Sequence, residues 1–363
     1  MKKVIITGGG FAGITAGLKL LKNNFSVTMF NPRAVFEFSP LLPDALIKDK
    51  PMLAEFSFAP LLGYKNFQLL TEKVVGVDAT TKIVRGEKST AEYDYLLIAT
   101  GMDGKMAIEG NEQNSILFKS VADVVKISDY LKTKIKVGGT IAVNIIGAGA
   151  TGVETALALA TYLKARTEKW QINLFHNLPL PINNNPAWLA TLLVKIFKTH
   201  NINFIPNQTI TRLCPEGVVC GTNLHNSELN ILTAGGRANV KFCAPEFLDE
   251  RGQIKVNEFL QTIDENIFAA GDVSNSPNLK TAQAAEYEGN LVAKNILAHA
   301  VQHTLSPNKF KMQGFLMMTG AGTAAGMAGP FRLNGRLGGL LRLLAYLKSL
   351  PGIKNRLKLL QGN

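Results

Sequence analysis

Lys3-Val4-Ile5-Ile6-Thr7-Gly8-Gly9-Gly10-Phe11-Ala12-Gly13 runs a short apolar segment straight into a glycine-rich turn. Val4 to Ile6 shows none of the polar alternation of a half-exposed strand, so Lys3 to Thr7 is predicted as a strand buried on both faces, the parallel-sheet type. Gly8 permits a tight turn, Gly10 lets backbone N–H groups approach a pyrophosphate, and Gly13 permits close helix–strand packing. A helix predicted from about Phe11 to Leu21 aims its positive N-terminal end at the phosphates. Asn23-Asn24 stops it, and Ser26 to Asn31 is the next strand. A lone GxGxxG is weak evidence, but this one follows a strand and opens a helix, as a dinucleotide site requires.

The same unit recurs. Thr140 to Ile146 reads as a strand, Gly147-Ala148-Gly149-Ala150-Thr151-Gly152 as the turn, Val153 to Leu163 as the helix and Trp170 to His176 as the following strand. Duplication at this long spacing implies two nucleotide-binding α/β domains rather than a solenoid. An acidic residue that bonds the ribose 2′-hydroxyl normally ends the second strand. Here Asn31 and His176 stand at those positions. Asn31 can accept a hydroxyl hydrogen bond. His176 leaves NADH and NADPH both open: no carboxylate repels a 2′-phosphate, and Arg166 or Lys169 could supply a cation. The alternative is a surface histidine that touches nothing. Further along, 179–186 reads as a turn-rich linker, Ala187 to His200 as a helix, Glu216 to Thr233 as short strands, Ile267 to Ala270 as a buried strand and Thr281 to Ala300 as a long helix.

The 363 residues are 46% hydrophobic and 18% charged, which excludes a disordered chain. The net charge of +12 is uneven. No acidic residue follows Glu288, whereas ten basic ones do, leaving 29 basic against 27 acidic residues in the first 288. Three cysteines, Cys214, Cys220 and Cys243, make no disulfide framework and no zinc spacing, so no metal is expected and the reducing cytoplasm is the default compartment. Met1-Lys2-Lys3 leads into a strand rather than a signal sequence, and no stretch of about 20 apolar residues spans a membrane.

Two further motifs join the glycine turns: Tyr93-Asp94-Tyr95-Leu96-Leu97-Ile98-Ala99-Thr100-Gly101, and Asn266-Ile267-Phe268-Ala269-Ala270-Gly271-Asp272-Val273. In this order the four resemble the flavoproteins with two dinucleotide-binding domains, the FAD-dependent pyridine nucleotide-disulfide oxidoreductase superfamily. The region Phe36 to Pro43 lacks the cysteine pair of its disulfide reductases. The cysteine positions, between 214 and 243, also differ from those of sulfide:quinone oxidoreductases; they read as ordinary buried thiols. Four shorter motifs resemble type II NADH dehydrogenases, the single-subunit NADH:quinone oxidoreductases. Phe38 to Leu42 gives Phe-x-Pro-Leu-Leu, and Ala282-Gln283-Ala284-Ala285 is similar to half of the quinone-site motif, whose next glutamine falls on Tyr287. Met318-Thr319-Gly320-Ala321-Gly322 resembles a turn near the flavin, and Gly352-Ile353-Lys354-Asn355-Arg356 a C-terminal signature.

The resemblance implies a non-proton-pumping FAD-dependent NAD(P)H:quinone oxidoreductase. It implies an FAD-binding domain of residues 1–117 with 245–331, an NAD(P)H-binding domain of 118–244, and C-terminal membrane-associating helices at 332–363. The FAD contacts it implies are Gly8, Gly10, Phe11, Ala12, Gly13, Asn31, Pro32, Arg33, Pro43, Val74, Thr100, Gly101, Gly271, Asp272, Ala282 and Gln283. Those to NADH or NADPH are Gly147, Gly149, Ala150, Thr151, Gly152, His176 and Gly235. Glu154 falls near the nicotinamide, with capping of its own helix as the alternative role. Gln283 and Tyr287 fall at the quinone.

The tail carries its own pattern. Leu337, Leu340, Leu341, Leu344 and Leu347 share one helical face with Arg342 and Tyr346 away from it, and Ile353, Leu357 and Leu360 form a second stripe beside Lys354 and Lys358. Apolar stripes with basic residues, too short to span, predict helices lying on an anionic lipid surface, here the inner face of the cell membrane. A helix packed on the body, or a homodimer contact, is the alternative. Nucleic acid is not expected, because the tail is nearly free of aromatics. Competing functions are an NAD(P)H oxidase or a reductase of another acceptor, a sulfide:quinone oxidoreductase-like enzyme, and a non-catalytic membrane-bound flavoprotein sensor.

Overall fold

A computed structural model describes every residue except 105–107, 183–185, 234 and 363, so part of the expected 179–186 linker lies outside the described residues. The chain divides into two compact units: Met1–Glu37, Phe56–Asp103 and Arg237–Met312 form the first, and Phe38–Glu55, Gly104–Gly236 and Gln313–Asn363 the second.

The first unit is built on a five-stranded parallel sheet in the order Ile267–Ala269, Tyr95–Ile98, Lys3–Thr7, Ser26–Phe30, Phe67–Leu70. The first strand lies at its centre, so the chain reverses direction of strand addition there, where α/β sheets place ligands. Ile5, Leu96, Ile98, Ile267 and Ala269 are buried in its core. The helix after the first strand, Phe11–Lys22, packs on the Ala282–Ala300 helix. Only glycine fits where they cross: a Cβ on Gly289 would sit 2.3 Å from the Ala12 carbonyl oxygen.

A second five-stranded parallel sheet forms the second unit, ordered Ile116–Leu117, Leu229–Leu232, Ile141–Ile146, Trp170–Phe175, Ile202–Ile205. Its register is fixed by asparagines at matching positions on neighbouring strands. Asn173 Nδ2 donates to Asn144 Oδ1 at 2.9 Å, and Asn203 Nδ2 to Asn173 Oδ1 at 3.1 Å. A one-residue slip would leave the buried amides of Asn144 and Asn173 unpaired, at a cost of about 1–3 kcal/mol each. The helix Ala150–Lys164 follows the second glycine turn.

The unit boundaries differ from the expected domain limits. The division falls at 103/104 rather than 117/118, because Ile116–Leu117 pairs with Leu229–Leu232 inside the second unit. It falls at 236/237 rather than 244/245, because Arg237–Ala238 pairs with Met102–Asp103 in the first. Residues 38–55 and 313–331 join the second unit, where the Leu42–Ile47 helix and the Gly314–Gly320 strand both pack on Ala150–Lys164. The tail forms two helices, Gly335–Ser349 and Ile353–Gly362. The first rests on the Thr323–Ala328 strand through Gly338, where a Cβ would lie 2.2 Å from the Ala324 oxygen. Arg342 is therefore buried rather than part of an exposed basic surface. No described helix is long and apolar enough to cross a membrane.

Candidate functional site: two glycine cradles and a buried charge cluster

The first cradle closes on backbone. Gly8 has φ +100°, and a Cβ there would sit 2.3 Å from the Ala99 oxygen; one on Gly13 would sit 2.0 Å from the Gly8 oxygen. Gly10 differs: a Cβ would meet nothing within 4 Å, so open space faces this helix end. No side chain caps the helix, which leaves its first-turn N–H groups for an anion. Asn31 binds the turn rather than standing free. Its Oδ1 accepts from Gly9 N at 2.9 Å and its Nδ2 donates to the Arg33 oxygen at 2.6 Å. One Oδ1 lone pair remains for a hydroxyl.

Thr100 and Gly101 are held by a residue that sequence reasoning missed. Asn239 Nδ2 donates to the Thr100 oxygen at 3.1 Å, its N–H donates to the Gly101 oxygen at 3.0 Å, and Thr100 Oγ1 donates back to the Asn239 oxygen at 2.7 Å. Gly271 has φ +77° at the end of the Ile267–Ala269 strand, and Asp272 follows half-buried. Buried Glu288 fixes that loop, accepting from Gly271 N at 2.6 Å, Ser276 Oγ at 2.6 Å and Asn278 Nδ2 at 2.7 Å. Phe11 packs edge-on to Phe36, Arg33 pairs with Glu37, Pro32 is exposed, and Val74 opens the Val74–Asp78 strand.

The second cradle repeats the first. Gly147 has φ +105°, and a Cβ on Gly152 would fall within 1.7 Å of the Gly147 oxygen and 2.6 Å of Thr233 Oγ1. Again the N-cap, Gly149, faces open space and no side chain caps the Ala150–Lys164 helix. Thr233, also missed from sequence, donates to Ile146 and Gly147 oxygens, both at 2.9 Å. The His176 Nδ1 lies 3.4 Å from Ala148 N, so the histidine is part of the turn. Its Nε2 is buried with no partner, and burial lowers the ring's pKa, favouring the neutral form. Gly235 is exposed with φ +77° just beyond the Leu229–Leu232 strand.

Glu154 does not cap its helix. Its Oε1 accepts from Met318 N at 2.7 Å and lies 3.6 Å from Arg342 Nη2. Arg342 Nη2 also lies 2.9 Å from Asp44 Oδ2 and donates to the Pro40 oxygen at 3.0 Å, which Tyr346 Oη reaches at 3.2 Å. Burial pushes the Glu154 carboxyl up to about 6 against the pull of Arg342. The Met318 to Gly322 segment is thus a strand end and hairpin turn whose backbone bonds Glu154. Pro43, expected at the flavin, is buried in the Leu42–Ile47 helix of the second unit.

Ala282 and Gln283, both half-buried, open the Ala282–Ala300 helix, capped by Thr281. The Tyr287 hydroxyl accepts from Lys309 N at 3.1 Å, so its own hydrogen stays available to donate. Cys214 and Cys220 lie on a small antiparallel sheet of the second unit and Cys243 in the first. Burial raises the Cys220 thiol and pushes Cys243 up to about 12, the reverse of an activated thiolate. No group of metal-ligating side chains occurs among the described residues.

Two parallel sheets each deliver an open glycine turn to an uncapped helix end. Residues 2–289 match the model of the pyridine nucleotide-disulphide oxidoreductase family, and the chain belongs to that family. It is 28% identical to oxidoreductase ptaL of Pestalotiopsis fici, over 97% of this chain and 98% of that relative. It is 26% identical to alternative NAD(P)H-ubiquinone oxidoreductase C1 of Arabidopsis thaliana, over 98% of this chain and 79% of the relative. The structure of NDH2 from Plasmodium falciparum in complex with NADH superposes with a TM-score of 0.87 at 19% identity, covering 99% of this chain and 97% of that one, which establishes the likeness of fold.

Proposed function

We propose that this chain is an FAD-dependent NAD(P)H:quinone oxidoreductase bound peripherally to the inner face of a cell membrane. The observation that carries it is the pair of open, uncapped glycine cradles in two units of one chain. Similarity to an NAD(P)H-ubiquinone oxidoreductase along nearly its whole length supports the acceptor class. Both cradles fit a dinucleotide, because each has room where a Cβ is missing and free N–H groups behind it. The first would hold FAD with Gly8, Gly10, Gly13, Asn31, Thr100, Gly101 and Asp272, and the second NADH or NADPH with Gly147 to Gly152, His176 and Gly235. A bound flavin supplies the two-electron chemistry between a reduced nicotinamide and a quinone.

The chain's own groups position and exclude. Asn239 and Glu288 hold the loops that border the first cradle. Glu154, close to half-protonated near pH 6, is a buried carboxyl able to hold or release a proton. Tyr287 keeps an O–H to donate to a quinone carbonyl. The raised thiol pKa values of Cys220 and Cys243 argue against sulfide chemistry. Leu337, Leu340, Leu344, Ile353, Leu357 and Leu360 are each at least half exposed, which supports an apolar face laid on lipid, with Lys348, Lys354 and Lys358 beside it. Steady-state kinetics with NADH, NADPH and a soluble quinone test the proposal. Flavin-loaded protein that reduces no quinone with either nucleotide would contradict it.

A further inference from the structure

His176 follows the strand after the second glycine turn, the place at which a dinucleotide fold reads the ribose 2′-position. NADH presents a hydroxyl there and NADPH a phosphate; the two nucleotides are otherwise the same. Three strands lie side by side at this edge: Ile141–Ile146, Trp170–Phe175 and Ile202–Ile205. The chain that leaves them, 147–152, 176–182 and 206–211, holds no Asp, Glu, Lys or Arg. Backbone bonds pin it instead. His176 N donates to the Ile205 oxygen at 3.0 Å, Gln208 N to the His176 oxygen at 2.8 Å and Ile182 N to the Ala148 oxygen at 2.8 Å. The His176 ring turns to the cradle's own backbone. Its Nδ1 accepts from Ala148 N at 3.4 Å, which puts the ring proton on Nε2, and that atom is withdrawn from solvent. Burial favours the neutral ring.

The two cations near this strand in sequence, Arg166 and Lys169, belong to the other end of the sheet. Lys169 precedes the strand, where its oxygen accepts from Ile141 N at 3.0 Å. The 6-residue strand carries the chain about 20 Å before it reaches His176. Arg166 follows the carboxyl end of the Ala150–Lys164 helix, donates to the Tyr162 oxygen at 3.0 Å and lies 3.9 Å over the Tyr162 ring. The helix end that forms the cradle is about 20 Å away. A site that selects NADH uses a carboxylate, which bonds the hydroxyl and repels the phosphate; one that selects NADPH uses a cation. The segments beside His176 bring neither, and the glycine turn and helix end act on the pyrophosphate common to both nucleotides. We infer that the second cradle binds NADH and NADPH with comparable affinity, and that the uncharged edge at His176 is what leaves it without a choice between them. The inference rests on the reading of that cradle as the nicotinamide nucleotide site, and on neither the flavin nor the quinone.

The experiment is calorimetric titration of the full, flavin-loaded chain with the tetrahydro forms of NADH and NADPH, which keep the riboses and phosphates but have no hydride to transfer. Dissociation constants within about 5-fold of each other are expected, since no charged group separates hydroxyl from phosphate. His176→Asp places a carboxylate at the strand end and should weaken the NADPH form about 10-fold or more relative to the NADH form. Asn177→Glu, at an exposed position one residue on, should move the ratio the same way and serves where the aspartate variant does not fold. Asn177→Arg should move it in the opposite direction. A parent ratio outside the stated range, or the parent ratio retained in the folded charged variants, overturns the inference and leaves the quinone reaction untouched. Binding of neither nucleotide overturns the cradle reading with it. Comparable binding in a protein whose flavin reduces no quinone supports the inference and contradicts the proposed function alone.

Discussion

Glu154 Oε1 and Arg342 Nη2 lie 3.6 Å apart with both side chains almost wholly withdrawn from solvent. One comes from the helix behind the second glycine turn, the other from the first tail helix. The contact ties the second glycine cradle to a segment whose opposite face is exposed leucine. Its energetics follow from burial: removing Arg342 leaves Glu154 with only the Met318 N–H, whereas removing Glu154 leaves Arg342 still paired with Asp44.

The folded chain holds the Glu154 proton more tightly than the unfolded chain, since burial raises its carboxyl from 4.5 to about 6. The stability this contributes is full below about pH 4.5 and is lost as pH rises through about 6. Glu154→Gln removes that dependence, so denaturant melts should show the variant gaining about 2 kcal/mol on its parent across this window. Parallel pH curves for the two proteins would contradict the assignment.

Arg342→Leu strands two carboxylates, Asp44 and Glu154. Urea unfolding should show a loss of about 3 kcal/mol or more. Adding Glu154→Gln should recover part of it, a coupling that a double-mutant cycle measures directly.

Glycines within each turn separate folding from ligand binding. A Cβ on Gly10 or Gly149 meets nothing within 4 Å, whereas one on Gly13 or Gly152 meets a backbone oxygen at 2.0 or 1.7 Å. Gly10→Ala and Gly149→Ala should stay within about 0.5 kcal/mol of parent stability. Gly10→Ala should lower flavin retention and Gly149→Ala should raise the KM for NADH and NADPH. Gly13→Ala and Gly152→Ala should lose several kcal/mol, about 3 or more. Thermal melts and flavin release give both readouts.

Leu337 and Leu344 are 58% and 50% exposed and pack on little. Changing both to Ser should shift stability by about 0.5 kcal/mol or less. Co-sedimentation with anionic vesicles should fall markedly, and parent binding should weaken with salt.

Much of this was legible in the sequence because it is local. Each glycine turn, its strand and its helix lie within about thirty residues, and the φ values at Gly8 and Gly147 are ones that only glycine adopts readily. The leucine stripe was legible for the same reason, as 3.6-residue periodicity. What periodicity does not reveal is which face packs. The first tail helix buries its least apolar side, Gly338 and Arg342, because a glycine lets its backbone approach a strand and a charge finds Asp44 there. Asn239, Thr233 and Glu288 were invisible because their partners lie on other strands and loops, and Asn, Thr and Glu carry no positional signal of their own. The unit membership of residues 38–55 and 313–331 depends on contacts with the Ala150–Lys164 helix, far away in the chain.

The most direct test of the central claim is an anaerobic spectral titration of the purified flavin-loaded protein, first with NADH or NADPH and then with a soluble quinone. The visible flavin absorption should bleach with at least one nucleotide, at one equivalent per flavin, and return on adding one equivalent of quinone. Flavin that neither nucleotide bleaches, or that bleaches and is not reoxidised by quinone, would contradict it.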